Sequence, residues 1–505
     1  MSVDTSRESR TGLVWIAGLV AAKVVFHALT GDGYGFHRDE LATLDDARRL
    51  AWGYVAYPPL TPAIGSLGLE WFGATPAGVR VFAALAQGLS IFLAALMARD
   101  LGGNRKAQAG AAMAVAVGGV SLGASALFQY VAFDFLWWVL AAWCTLRLLR
   151  SDDPRWWIGI GAALGLGLQT KYTILFLAVG IAFGVLVTPA RRYLRSPWLW
   201  IGAAVALLIF LPNLLWQVQH QFVSLDFLRS IHARDVRIGR TSGFLLEQLT
   251  VPANPFTIPL WIAGLVWLFR AGAARRYRVL GWMFVVPLLL FTVAKGRSYY
   301  MAPAYTILLA AGAVAAEGWL GTLRTGYARW LRGTAWAGLA AGGILAALIV
   351  LPLAPVHSAV WNRFTGRNDD MVEEIGWPEL VAEVARIRDT LTPKDRARLG
   401  ILAGNYGEAG AINLYGPALG LPRAISGVNS YWAQGYGDPP PDVLIVVGIN
   451  RLFLEKHFAA CTLAGHVTNR YGVRNEETRQ HPDIFVCRGL REPWPDFWKK
   501  FRYFG

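Results

Sequence analysis

Eleven stretches of about twenty residues, nearly free of charge, run through the first 353 positions of this chain. They lie at roughly 13–29, 79–98, 107–126, 132–147, 156–170, 172–188, 198–216, 254–269, 279–294, 301–319 and 334–353. The hydrocarbon core of a bilayer is about 30 Å thick and takes about 20 apolar residues per helix. In lipid a backbone must satisfy its own amides, which a helix does within one segment. The pattern therefore predicts a mainly α, polytopic membrane protein with about 11 transmembrane helices. A soluble enzyme is excluded: 55% of the 505 residues are hydrophobic and 16% are charged, against roughly 25% charged in soluble domains. The 22 Trp and 54 Gly suit aromatic belts and close helix contacts in a bilayer. The stretches 132–147 and 156–170 are short, and only Lys171 separates 156–170 from 172–188. The first stretch lacks a small-residue cleavage site, so it reads as a retained helix rather than a signal peptide.

Charge divides the chain in two. The last 153 residues hold 35 charged side chains, 18 basic and 17 acidic, an ordinary soluble density. The first 352 hold 30 basic and 16 acidic. We read 1–353 as a transmembrane domain and 354–505 as one soluble domain. The net charge of +15 is a topology signal rather than a nucleic-acid footprint. With the N-terminus in the cytoplasm, the segments 1–12, 98–107, 147–155, 189–197, 270–278 and 321–333 lie inside and carry 18 basic and 5 acidic residues, as the positive-inside rule demands. Eleven spans then put the C-terminal domain outside. The Ala-, Gly- and Arg-rich composition with short loops points to a bacterial inner membrane.

Two outer connections, 30–78 and 217–253, exceed the usual loop length, and such loops are commonly functional. Asp39 and Glu40 open the first. Adjacent carboxylates at a membrane surface suit general-base work on an acceptor hydroxyl; equally, acids suit a helix N-terminus. His37 beside them could join Glu40 on a metal, but one His and one carboxylate make no metal motif. Asp134 lies at the edge of an apolar span, where a carboxylate is costly and a functional role is the default. Lys171 at the outer face suits a lipid-linked phosphate, or simply reaches to the headgroups. Lys295 and Arg297 lie on a short outer turn against the positive-inside bias, and their cations match phosphate oxygens. Tyr299 and Tyr300 follow them, and Gln217 and His220 end the seventh span; all four are candidate cavity residues. Tyr57-Pro58-Pro59 reads as a rigid turn.

Several motifs share one order. The Asp39-Glu40 pair follows the first span, and Pro58-Pro59-Leu60 comes about twenty residues later. Next are Gly165 to Tyr172 (GLGLQTKY), Leu211 to Gln217 (LPNLLWQ) and Lys295 to Tyr305 (KGRSYYMAPAY), with Arg-rich inner loops between. Over roughly 10–320 the chain resembles the GT-C-type glycosyltransferases of the protein O-mannosyltransferase and aminoarabinose-transferase superfamily (family 39-like), in particular its bacterial branch with the rhizobial lipopolysaccharide galacturonosyltransferases. The resemblance implies a polyprenyl-phosphate sugar donor. The acceptor would be a glycan, lipid or protein on the non-cytoplasmic face. By the same resemblance Asp39 is the base with Glu40 beside it, Asp134 is a second functional acid, and Lys295, Arg297 and Lys171 hold the donor phosphate. The phosphate departs as such and needs cations rather than a general acid. Aminoarabinose transferases carry a Glu-Lys pair where this chain has Ala56 and Tyr57. No metal is therefore required by this reading, although a divalent cation stays open. The competing class is a polytopic transporter or lipid flippase. That class favours repeated halves and broken helices near mid-membrane; the chain shows no internal repeat.

From about 375 onward helix and strand signals alternate, predicting a small α/β domain. A helix is expected over 378–391, strands over 398–403, 442–448 and 483–488, a helix from 404, and another over 451–461. Gly404 and Gly407 lack the third glycine of a dinucleotide fingerprint, and covering the site or recognising the acceptor fits an external domain better. Cys461 and Cys487 share this domain, and whether they pair is left open; Cys144 lies in a span.

Overall fold

The computed structural model describes residues 3–505, with side chains from residue 14 on. Each of the eleven apolar stretches forms a helix or a pair of helices. In order the first elements are α1 (Val3–Thr30), α2 (Arg38–Ala47), α3 (Leu60–Phe72), α4 (Pro76–Asp100), α5 (Arg105–Ala116), α6 (Gly119–Ala126), α7 (Tyr130–Ser151), α8 (Trp156–Leu168), α9 (Ile174–Val187), α10 (Pro197–Gln219) and α11 (Val223–Arg237). The later apolar helices are Ile258–Arg270, Arg278–Val293, Ala302–Leu320 and Thr325–Val350. Among the described residues, six helices are long and apolar enough to cross a membrane by themselves, or eight if each bent pair is one span. Val14–Thr30, Trp156–Leu168 and Pro255–Arg270 are shorter apolar helices. Only 11% of the apolar window of α10 is buried, and Leu208 stands 66% exposed. A face of that kind is stable against lipid, not water.

The stretch 107–126 is not one straight helix. It breaks between α5 and α6 with a bend of 60°. A break in an apolar layer strips carbonyls of their partners, and something must satisfy them. Lys23 of α1 does so: its Nζ donates to Ala116 O (3.2 Å), Ser121 O (3.3 Å) and Ser121 Oγ (3.1 Å). Elsewhere glycines let helices touch. A Cβ on Gly161 would lie 1.9 Å from Gly202 O, and one on Gly264 would lie 2.0 Å from Leu308 O. Small residues at such crossings are how apolar helices associate where lipid removes the hydrophobic drive.

The long connections 30–78 and 217–253 fold as helices, α2 and α3 in the first and α11 with the short helix Phe244–Glu247 in the second. The C-terminal region is the expected α/β domain. Its five-stranded sheet has the order β2-β1-β3-β5-β4, with β1 Leu399–Ala403, β2 Ala424–Ile425, β3 Val443–Val447, β4 Phe458–His466 and β5 Asp483–Leu490. β1 is parallel to β2 and β3, whereas β5 is antiparallel to β3 and β4. The helix expected over 451–461 is a correction: it ends at His457, and the chain runs straight into β4. Cys461 therefore lies on a strand, opposite Cys487 on β5, and the two form a disulfide. The helix Tyr406–Tyr415 packs on α2. A Cβ on Gly407 would lie 2.9 Å from Arg38 Cβ, and one on Gly410 would lie 2.7 Å from the Leu41 carbonyl carbon. These glycines serve close helix packing.

One buried side chain joins the two halves. Arg80 of α4 is 1% exposed. Its Nε and Nη2 donate to Glu40 (2.8 and 2.6 Å), Nη2 also to Gly35 O (2.9 Å), and Nη1 to Gly31 O (2.7 Å) and Glu374 (3.5 Å). Breaking a buried, fully bonded pair from one side costs about 3–5 kcal/mol, because the partner is left charged and alone. Arg80→Met is expected to lower the unfolding temperature of detergent-solubilised protein sharply. Glu40→Gln added to it should recover part of the loss.

Candidate active site

Helix α2 begins with a cap that decides where its acids point. His37 is the N-cap; its Nδ1 accepts from Asp39 N (3.2 Å), and its own backbone N–H donates to Glu40 Oε2 (2.8 Å). Glu40 is fully buried and also accepts from Phe128 N (2.6 Å). With Arg80 it has no valence left for a substrate. Asp39, one residue earlier and about 100° around the helix, faces the other way. Its side chain is 39% exposed. One carboxylate oxygen accepts from Gln129 Nε2 (3.0 Å), the other from the Tyr406 hydroxyl (2.8 Å).

Gln129 immediately precedes Tyr130, the first residue of α7, and Tyr130 forms one wall of a cation cage. Lys171 Nζ lies 3.7 Å from the Tyr300 ring centroid, 5.1 Å from Tyr130 and 5.3 Å from Tyr299. Aromatic faces attract a desolvated ammonium. Asp134, one helical turn beyond Tyr130, is buried. Thr173 Oγ1 reaches its Oδ2 at 3.5 Å, its Oδ1 lacks a hydrogen-bond partner, and Lys171 acts on it electrostatically. Arg297 also borders the cage. Its guanidinium binds Asp235 of α11 (2.7 and 2.6 Å), and Arg240 lies 3.7 Å from the same carboxylate. Lys295 is exposed at φ 47° and joins no ion pair among the described residues.

The structure thus brings Asp39, Lys171, Arg297, Tyr299 and Tyr300 to one side, with His37 beneath and Asp134 behind. It does not bring Gln217 or His220. Gln217 is spent on Tyr172 (3.0 Å) and Ser224 (2.7 Å), and His220 stacks on Trp216 at 3.9 Å. Tyr57 turns its hydroxyl to Asp46 (2.7 Å), so this position offers nothing to a phosphate or a metal. His37 Nδ1 and Asp39 Oδ2 lie 4.0 Å apart, but Glu40 is committed to Arg80. Among the described residues no three His, Cys, Asp or Glu side chains gather as a metal site. The donor set does not fit a divalent cation.

Gln129, Tyr130 and Tyr406 escape the sequence argument. Gln129 and Tyr130 carry no charge next to a span. Tyr406 lies 367 residues from Asp39, and no spacing rule links them. Burial and the Asp39 carboxylate push the Tyr406 hydroxyl up, so it remains a donor. Arg38 stacks on its ring at 4.8 Å and pairs with Glu476. Behind Arg38, burial followed by the Glu477 charge pushes Glu373 up to about 8. Burial pushes Glu408 and Glu477 up to about 7. Acids raised above their ordinary 4.5 contribute fully below that value, and the contribution is lost as pH rises through about 7 to 8. The unfolding temperature should therefore fall from mildly acidic to mildly alkaline pH, and Glu373→Gln with Glu477→Gln should flatten the profile.

The chain is similar to several known proteins. Residues 56–216 match the family described as dolichyl-phosphate-mannose-protein mannosyltransferase. The lipid A galacturonosyltransferase RgtD of Rhizobium johnstonii is 27% identical over 386 residues, covering 71% of this chain and 76% of that protein. An undecaprenyl phosphate-alpha-4-amino-4-deoxy-L-arabinose arabinosyl transferase of Pseudomonas fluorescens is 31% identical over 268 residues, covering 48% of this chain and 45% of its own length. The crystal structure of ArnT from Cupriavidus metallidurans bound to undecaprenyl phosphate superposes with a TM-score of 0.60 at 16% identity, over 94% of this chain and 98% of that one. Together these matches support a glycosyltransferase of the GT-C superfamily that contains the protein mannosyltransferases and the aminoarabinose transferases.

Proposed function

We propose that the protein moves a sugar from a polyprenyl-phosphate carrier to an acceptor hydroxyl on the non-cytoplasmic face of a bacterial inner membrane. The observation that carries this reading is the placement of Asp39. It is a part-exposed carboxylate oriented by two donors, Gln129 and Tyr406, beside a cation caged by tyrosines. In the reaction the acceptor O–H gives its proton to Asp39, and the acceptor oxygen bonds to the anomeric carbon. The bond from that carbon to the phosphate oxygen breaks, and its electron pair leaves with the polyprenyl phosphate. Attack from the face opposite the phosphate inverts the anomeric centre. Lys171 and Arg297 meet the growing phosphate charge, which preorganised donors in a dry site do effectively. Lys295, exposed on the same turn, reaches the phosphate from the lipid side. Asp134 sets the position and charge of Lys171, and Glu40 positions Asp39 through the rigid start of α2.

The named relatives support a sugar-transferring role, and the bound undecaprenyl phosphate of the ArnT structure supports a polyprenyl-phosphate donor. In this reading 1–353 is the transmembrane unit with eleven spans and a cytoplasmic N-terminus. The domain 354–505 lies outside the membrane, covers the site and lends it Tyr406.

Asp39→Asn should cut turnover by about 10²–10⁴, the usual worth of a positioned base, while donor binding persists. Lys171→Gln and Arg297→Gln should instead weaken donor binding and turnover together. Mass spectrometry of envelope lipids and glycans from a deletion strain would name sugar and acceptor. A sugar restored by wild type and equally by Asp39→Asn would remove Asp39 from the mechanism.

A further inference from the structure

A second concave site lies at the far end of α2. Asp39 is near the start of this helix, and Arg49 follows its end, roughly 15 Å away at 1.5 Å per residue. Arg49, with Arg398 and Arg423 from the C-terminal domain, lines a cavity of about 430 Å³. Gln434, Tyr436 and Pro441 complete its wall, and no acidic side chain lines it. Its size suits a phosphorylated sugar or a lipid headgroup.

The cations here are incompletely neutralised. Arg423 pairs with Asp45 (2.7 Å) and Arg398 with Asp442 (2.5 Å). Arg49 joins no ion pair among the described residues. Its terminal nitrogen reaches Gln434 Oε1 at 3.4 Å, and Arg423 donates to that same oxygen at 2.6 Å. Two guanidinium groups thus converge on one neutral acceptor. Burial and the Arg423 charge lower the pKa of Arg49, against the opposing pull of Asp45 and Asp46. Planar guanidinium forks match phosphate oxygens in pairs.

The chain leaving the cavity also runs onto α10, whose apolar surface is largely exposed. Asn213, near the outer end of α10, donates to Trp52 O at 2.8 Å, and a Cβ on Gly53 would run into Trp216 of α10. This anchors the segment after Arg49 on a lipid-facing helix. Leu50 and Trp52 stand 58% and 63% exposed, as side chains at the headgroup level do.

We propose that this cavity binds the phosphate of an anionic lipid headgroup in the outer leaflet, separately from the donor-phosphate cluster around Lys171. The site does not depend on Asp39 acting as a base. It is tested on the full-length protein in nanodiscs and detergent, as wild type, Arg49→Gln, Arg49→Lys and Ala397→Trp. Arg49 and Ala397 are exposed, so Arg49→Gln removes the unpaired cation and Ala397→Trp fills the cavity without touching an arginine. Unliganded unfolding temperatures check that both fold. The lipid probe is dioleoyl phosphatidic acid against dioleoyl phosphatidylcholine, with retained lipid counted by native mass spectrometry. The soluble probe is inorganic phosphate, read as a shift in unfolding temperature. We expect wild type to retain one more phosphatidic acid than Arg49→Gln or Ala397→Trp. We also expect affinity at least about tenfold weaker in both, equivalent to about 1.4 kcal/mol, and intermediate retention by Arg49→Lys. Equal retention by wild type and both variants overturns the proposal. Protection of wild type by inorganic phosphate alone, lost in Arg49→Gln and without lipid retention, overturns the lipid source and assigns the cavity to a soluble phosphate.

Discussion

The arrangement around α2 depends on Arg80. An arginine inside an apolar domain is tolerable only when its whole fork is occupied, because an unmatched buried charge costs several kcal/mol. Arg80 occupies all five N–H groups, on the end of α1, the following loop, Glu40 and Glu374. A lysine offers a point charge and could not span the same set. The consequence lies one residue away. Glu40 is drawn inward, and the helical twist turns Asp39 toward the open side. Two adjacent acids therefore do different work, one as a rivet and one as the exposed group of the proposed chemistry.

The rest of the site follows from that placement. Asp39 meets Gln129 at the start of α7, and the next residue, Tyr130, belongs to the cage around Lys171. The carboxylate and the cation are thus held by consecutive residues of one helix start. Asp134 backs Lys171 from the same helix, and Asp235 tethers Arg297 from the second outer connection. The C-terminal domain is part of the same structure. Its Tyr406 holds the second oxygen of Asp39, and its glycines let the two helices close. Burial holds the carboxyl groups packed behind Arg38 above their ordinary range, since Arg38 and a few backbone donors do not balance them all once ionised.

The apolar stretches, the Arg-rich connections between them and the even charge of the last 153 residues are legible in the sequence. They follow from composition and local period, which do not depend on what packs where. The same local logic singled out Asp39, Lys171 and Arg297 as candidates, since charges in or beside apolar stretches are conspicuous. It misassigned the end of the helix after Arg451, because the switch from helix to β4 is dictated by pairing with β5 across a disulfide. It grouped Gln217 and His220 with the site, because a polar residue at the end of a span looks the same whether it faces a cavity or ties down a loop.

By itself, then, the sequence determined a largely helical chain with many apolar helices, the change in charge density along it and the positions of its costly charges, all of which are properties of short windows. Only the tertiary structure decided which charge is spent and which is free. Glu40 and Asp39 are indistinguishable until Arg80, forty residues on, claims one of them. Tyr406 carries no mark of its role until the C-terminal domain docks on α2. Partners that far apart in the chain are chosen by packing and by the need to satisfy buried polar groups, and neither can be read from any single stretch of residues.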